Sequence, residues 1–317
     1  MRAPIATTRR FMHGPACAFL LVAILALAGC PRGPGGGGGA YPPLELAGAW
    51  LLDGPRLLEP SGLAMVDGVL YTVCDKDDGT IYRIAFGPDT AQLVPHLRFT
   101  PPQSGVMDWE GITADPGGTF YLVSERLGRL LQVTADGTAS WASPDLRPTA
   151  RQVGLFQKIN AGFEGVTWLG PNHWLGAVER EPRGLVEWRV RADGVHVTAT
   201  VHEDSPFKDA LPLLRLPDYA GLDHDDGRVF ALFRNAHLVV RLERDGEGWR
   251  EVEAWSYRHI ETDPRWAYVS QTYGQAEGLV VRGAEVWIVF DNNLGPRQAD
   301  RRDRRPLLVH ARMPRAD

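Results

Sequence analysis

The chain has 317 residues, 44% hydrophobic and 23% charged, a globular composition that excludes a disordered protein and supplies apolar surface for a sizeable core. A formal net charge of -5 argues against nucleic acid as a partner. The 35 glycines, 24 prolines and 10 tryptophans, set among short apolar clusters, point to β-structure rather than helix.

The first predicted element is a leader. Residues 1–29 begin with Arg2, Arg9 and Arg10 and continue in an apolar run over 16–28, too short to span a bilayer but suited to a signal peptide. The run ends in Leu27-Ala28-Gly29-Cys30, which resembles the bacterial lipobox and implies lipidation of Cys30. The Gly/Pro-rich segment 30–43 then reads as a spacer. Pro31 after the cysteine resembles the outer-membrane sorting pattern, so the chain is expected to be exported and anchored in an outer membrane, facing the periplasm. Removing the leader leaves Cys74 as the only thiol besides Cys30, so no intramolecular disulfide is expected. Residues 44–317 are read as one domain, acting as a monomer.

That domain repeats. A small or aromatic residue, usually Glu, then Gly and an aliphatic residue recur as Pro60-Ser61-Gly62-Leu63, Trp109-Glu110-Gly111-Ile112, Phe163-Glu164-Gly165-Val166, Tyr219-Ala220-Gly221-Leu222 and Ala276-Glu277-Gly278-Leu279. Each copy opens a strand and is followed by a second, over 69–74, 119–124, 173–178, 228–233 and 285–290. Third strands are predicted over 80–85, 129–134, 184–190, 238–243 and 306–312, usually with a fourth. Four antiparallel strands at a period of about fifty residues is the pattern of a β-propeller blade. The last copy lacks a fourth strand, while an unassigned strand over 44–52 precedes the first copy. An all-β propeller of five four-stranded blades, closed by the N-terminal strand, follows; six blades is the alternative if a long connection hides a degenerate sheet.

Second strands end in polar pairs, Asp75-Lys76, Glu125-Arg126, Glu179-Arg180, Arg234-Asn235 and Asp291-Asn292. Propeller geometry puts these on the same rim as Glu110, Glu164 and Glu277 at the starts of the innermost strands. Carboxylates converging on one channel repel unless neutralised. Glu110, Glu164, Glu277, Glu125, Glu179 and Asp291 are therefore candidate ligands for a hard cation, Ca²⁺ being most consistent with oxygen donors. The competing reading is a structural clasp, each Glu bonding backbone amides of the next blade and pairing with Arg. Ser61, Ala220 and Arg234 break the acidic pattern, so Lys76, Arg126, Arg180, Arg183, Arg234 and Asn292 are candidates for holding an anionic ligand. The histidines show no ligand spacing, and no nucleophile elbow or phosphate loop is present.

The Glu-Gly-aliphatic copies, followed by Val123-Ser124-Glu125-Arg126 and Val178-Glu179-Arg180-Glu181-Pro182, resemble the SdiA-regulated protein family and the related propellers described as "esterase-like activity of phytase". The resemblance implies an exported propeller and, at Glu110, Glu164 and Glu277, a metal role in hydrolysis of esters or phosphoesters. Two functions follow: a ligand- and cation-binding propeller of the cell envelope, or a Ca²⁺-dependent phosphoesterase or esterase.

Overall fold

The computed structural model describes residues 41–54, 58–269 and 274–315. The predicted leader, Cys30 and the linker up to residue 40 lie outside them. Strand β1 (Glu45–Asp53) precedes β2 (Ala64–Val66), β3 (Val69–Cys74), β4 (Asp77–Phe86) and β5 (Thr90–Arg98). Then come β6 (Trp109–Ala114), β7 (Phe120–Ser124), β8 (Arg129–Val133), β9 (Ala139–Trp141), and β10 (Phe163–Gly170), β11 (His173–Val178), β12 (Gly184–Arg191), β13 (Gly194–Val201). The last are β14 (Leu222–Asp225), β15 (Arg228–Phe233), β16 (Leu238–Asp245), β17 (Gly248–Ser256), β18 (Ala276–Arg282), β19 (Glu285–Phe290) and β20 (Leu307–Arg312).

Strands β6 to β9, β10 to β13 and β14 to β17 each form a four-stranded sheet in sequence order, and the other eight form one sheet ordered β18-β19-β20-β1-β5-β4-β3-β2. In that sheet β1 lies antiparallel to β20, from Glu45 opposite Arg312 to Leu51 opposite Leu307, and touches β5 only through a short parallel pairing of Leu51–Asp53. The N-terminal strand therefore completes the C-terminal sheet, which leaves neither outer edge of this pair open. The long connections hold only short helices, α1 (Arg147–Arg151), α2 (Arg258–Glu261) and a 3-10 turn at Lys208–Ala210. No further sheet, and no helix long and apolar enough to cross a membrane, occurs among the described residues.

Strands covered on both faces read as unbroken apolar runs, and β3, β7, β11 and β15 are buried nearly throughout. Strand β13 lies at an outer edge and alternates between exposed and half-buried positions over most of its length. Between sheets the core is aromatic: Trp109, Phe163, Trp188, Tyr219 and Phe290 are almost fully buried.

The repeated glycines close the propeller. A Cβ on Gly62 would meet Gly111, one on Gly111 would meet Gly165, one on Gly165 the backbone of 220–222, one on Gly221 that of Gly278, and one on Gly278 that of Gly62 and Leu63. The innermost strands thus form a closed ring in which each backbone packs directly on the next, a distance only glycine allows. Gly278→Ala places a methyl 2.5 Å from the Leu63 nitrogen. It is expected to destabilise the fold by about 1–3 kcal/mol in urea denaturation; an unchanged midpoint would speak against direct backbone contact around the ring.

Candidate functional site

In three of the innermost strands the pairing skips the glutamate. Trp109 pairs with Ser124 and Gly111 with Val123; Phe163 pairs with Val178 and Gly165 with Ala177; Ala276 pairs with Phe290 and Gly278 with Val289. Glu110, Glu164 and Glu277 are thus the extra residues of β-bulges, which break the strict alternation of side chains and re-aim the bulged residue. All three line one axial cavity of about 200 Å³, with Glu59, Asp75, Glu125, Glu179, Asp291, Arg180 and Arg234 among the other walls. The outer acids reach it because β3, β7, β11 and β19 all run towards the same rim.

Arg234, at the corresponding end of β15, is the fixed cation of this cavity. Its Nη1 donates to both Glu277 oxygens at 2.7 Å and lies 3.5 Å from Glu164 Oε2; its Nη2 donates to Glu179 Oε1 at 2.6 Å and its Nε to Asp218 Oδ2 at 3.0 Å. A planar guanidinium suits such multiple carboxylate contact. Arg180 adds a second ion pair to Glu179. This side of the cavity is partly neutralised from within, two guanidiniums facing four carboxylates.

The opposite side is not. The Glu110 carboxylate has no hydrogen-bond or ion-pair partner among the described residues, and burial, followed by the charges of Glu277, Asp108 and Asp75, pushes its pKa well up. Asp75 pairs with Lys76 through Oδ2, while its Oδ1 is buried without a partner. Burial lifts the Asp75 carboxyl to about 6 against the pull of Lys76. Burial, then the nearby Glu277 charge, lifts Asp291 to about 8. Burial raises Glu125 too, although its Oε1 accepts the Gly162 N–H at 2.9 Å. Asp108 is held beside them by a left-handed backbone (φ 58°) and by the Glu125 N–H donating to its carbonyl.

Two carboxylate groups bring one oxygen each within 4.8 Å of one another: Asp75, Asp108 and Glu110, and Glu125, Glu164 and Glu179. Glu164 and Glu179 of the second group already face Arg234. The first group has only Lys76 nearby, and that ammonium is shared with Glu59 at 2.9 Å. A hard cation fits the first set better: three oxygen donors, one of them on a carboxylate with no other partner and one on Asp75, whose second oxygen is an orphan.

Residues 97–294, which hold four of the five repeat copies, match the family model described as SdiA-regulated. The chain belongs to the SdiA-regulated family. Solved structures similar to this SdiA-regulated protein include a gluconolactonase from Xanthomonas campestris, at 10% identity over 88% of this chain and 99% of that one, TM-score 0.43. A luciferin-regenerating enzyme matches at 10% identity over 80% and 77%, TM-score 0.46. A nidogen/laminin complex matches at 17% identity over 76% of each chain, TM-score 0.43. At these values the likenesses add nothing to the fold described above.

Among the sequence-predicted cations, the SdiA-regulated chain places Lys76, Arg180 and Arg234 at the acidic cavity or its rim. Arg126 is exposed on an adjoining cavity of about 420 Å³, lined also by Arg147, Arg151, Lys158 and the acids Asp108 and Glu125. Arg183 is a correction: it is buried away from the cavity, paired with Glu251 and stacked on Tyr219 and Phe233. It immediately precedes β12, and the Glu251 ion pair holds its guanidinium in the wall, where it cannot meet a ligand. Asn292 is likewise structural, its amide donating to the carbonyls of Gly295 and Arg304 and so tying down its loop. The expectation of a less acidic side around Ser61 and Ala220 also needs correction. Glu59 and Asp218, two residues before them, supply the missing carboxylates. Widening the repeat signature by one residue exposes these acids, and Asp108 with them.

Proposed function

We propose that this protein is a five-bladed, exported and lipid-anchored propeller of the cell envelope that binds one hard divalent cation, Ca²⁺ by its oxygen donors, through Asp75, Asp108 and Glu110. The blade count takes the eight-stranded sheet as two blades sharing a short outer seam. The observation that carries the cation reading is the Glu110 carboxylate, which faces the acidic cavity with no hydrogen-bond or ion-pair partner among the described residues. A divalent ion there would lower the pKa of every neighbouring carboxyl and remove their mutual repulsion.

The bound ion would also complete a ligand site. Glu125 lines both the acidic cavity and the adjoining one, whose wall also carries Asp108, Arg126, Arg147 and Arg151. A carboxylate or phosphate in that second cavity would meet Arg126 and Arg151 on one side and the cation on the other, so we assign the ligand as an anion. An esterase or phosphoesterase is the second reading, supported by Asp291, a carboxyl in the wall of the same cavity that burial lifts to about 8 in the cation-free protein, the kind of group that serves as a general acid towards a leaving group.

The test uses the full chain, purified with and without chelator. Calcium at about a hundredfold excess over its dissociation constant is expected to add about 2.7 kcal/mol, a rise in Tm of about 5 °C for a domain of this size. Glu110→Gln should abolish that rise while Glu181→Gln, outside the set, keeps it. Equal calcium responses in wild type and Glu110→Gln would remove the assignment. Turnover of a phosphate or carboxylic ester, lost in Asp291→Asn but with the calcium shift retained, would favour the enzyme reading.

A further inference from the structure

The described chain begins at Tyr41, and that residue is fastened to one loop of the rim. Its ring meets Phe207 edge-on at 5.7 Å between centroids, its hydroxyl donates to Asp209, and it packs on the same core cluster as Ala210 and Leu211. Three residues further on, the loop presents its most apolar side chains to solvent: Leu213 is 90% and Leu214 94% exposed, followed by the half-exposed Leu216. A neighbouring loop does the same with Ile159, 87% exposed. The two tips are held beside one another at the cavity mouth. Lys158, next to Ile159, pairs with Glu181 at 2.6 Å, and Glu181 lines one cavity together with Leu214, Arg215 and Leu216. Arg180 in turn donates to the Asn160 carbonyl at 2.9 Å.

Among the described residues no core cluster takes up Leu213, Leu214 or Ile159, and the loops that carry them make their structural contacts through other residues. Exposed large apolar groups gathered at one place, with bases beside them, mark an interaction surface. Its position relative to the N-terminal segment points to the partner. Tyr41 stands eleven positions after Cys30, a reach of at most about 40 Å even when fully extended. A lipid on Cys30 would therefore keep the loop from which the chain departs close to the bilayer.

We propose that the 211–216 loop and the Ile159 tip dock on the membrane that holds the lipid anchor, inserting Leu213, Leu214 and Ile159 into its interface. This rests on the lipid-anchor reading of Cys30. Lys158, Arg126 and Arg151 along the same rim would face anionic headgroups, an arrangement in which apolar insertion and surface charge act together. The cavity mouth would then open towards the bilayer surface rather than away from it, and anions presented at that surface would have the shortest path to the site.

The experiment labels the full lipidated chain with an environment-sensitive fluorophore at Leu214→Cys, and separately at Asp226→Cys, which lies in the β14–β15 turn at the other end of the strands. Cys74 is buried and does not compete for label. On vesicles of phosphatidylethanolamine and phosphatidylglycerol, the probe at 214 should shift to the blue and be quenched at least about fivefold more by bilayer-embedded quenchers than the probe at 226. Vesicle-bound protein with a water-like probe at both positions overturns the docking while leaving the anchor intact. Failure of the unlabelled wild-type chain to bind vesicles or to enter the membrane fraction, matched by Cys30→Ala, removes the anchor reading and the proposal with it. A blue shift at 214 that follows protein concentration without vesicles assigns the patch to a second copy of the chain and overturns the membrane assignment. Full-chain Cys30→Ala carrying Leu213→Ser, Leu214→Ser and Ile159→Ser should bind the same vesicles at least about tenfold more weakly than Cys30→Ala alone; equal binding contradicts the role of the three side chains.

Discussion

Replacing Arg234 with Met is expected to destabilise the protein by about 3–5 kcal/mol at neutral pH, the usual loss when one partner of a buried ion pair is removed and the other is left uncompensated. The size follows from the number of partners: Glu164, Glu179, Asp218 and Glu277 all lie within hydrogen-bond or ion-pair distance of one guanidinium. Among the described residues only Glu179 has a second cation, Arg180. Arg234→Lys should recover part of the loss, because it restores the charge but not the planar fork that reaches four carboxylates at once. Millimolar Ca²⁺ should recover more of the stability of Arg234→Met than of the wild type, since the emptied position is ringed by oxygen donors. Urea denaturation of the three proteins with and without calcium provides the check. A Met variant as stable as the parent would mean that the carboxylates are neutralised by protons alone.

The second large effect is a fall in stability as pH rises in the absence of divalent cations. Carboxyls whose folded pKa lies above the unfolded value keep their protons in the folded state after the unfolded chain has lost them. The folded state then binds more protons, and stability decreases with pH. For Asp75, raised to about 6, and Asp291, raised to about 8, the stabilisation is complete below the unfolded value near 4 and is lost as pH climbs through those two values. Glu110 and Glu164, both pushed well up by burial, and Glu277, raised chiefly by burial, act in the same direction. Asp223, buried near Arg282 outside the axial cavity and raised to about 6, adds a cation-independent part. Each retained proton is worth about 1.4 kcal/mol per pH unit. Thermal melts in chelator should therefore show Tm dropping between pH 5 and pH 8, and calcium should flatten most of that slope. A Tm that rises over this interval in chelator would show that the acids of the cavity are already paired.

Much of the fold can be read in the sequence because its strands are covered on both faces. The predicted strands 69–74, 173–178, 228–233 and 285–290 coincide with β3, β11, β15 and β19 to the residue. Continuous apolar runs bounded by turn residues leave little freedom in their ends. The closing role of the N-terminal strand was also legible, since the last repeat lacked a strand and residues 44–52 had no partner in the first.

The site was legible in its acids and not in its cation. Glu110, Glu164 and Glu277 stand out by repetition, but their direction depends on bulges that appear only once the ladder is formed. Arg234 looks like a lost acid in its own repeat. Its partners lie 16, 43, 55 and 70 residues away, and no local pattern reports a contact of that kind. Arg183 failed as a site residue for the opposite reason: a charged residue in an exposed-looking turn is drawn into the wall by Glu251, Tyr219 and Phe233. Glu59, Asp108 and Asp218 were visible in the sequence, one position outside the repeated signature, and only the fold shows that Glu59 lines the cavity while Asp108 and Asp218 meet the groups that do.

The most direct measurement is the diffraction of crystals grown with Ca²⁺, or with Mn²⁺ for its anomalous signal. A single ion is expected at about 2.3–2.6 Å from carboxylate oxygens of Asp75, Asp108 and Glu110, with Arg234 still bound to Glu277 and Asp218. An ion seated instead among Glu125, Glu164 and Glu179 with Arg234 displaced, or a cavity that stays free of metal at millimolar concentration, would contradict the account.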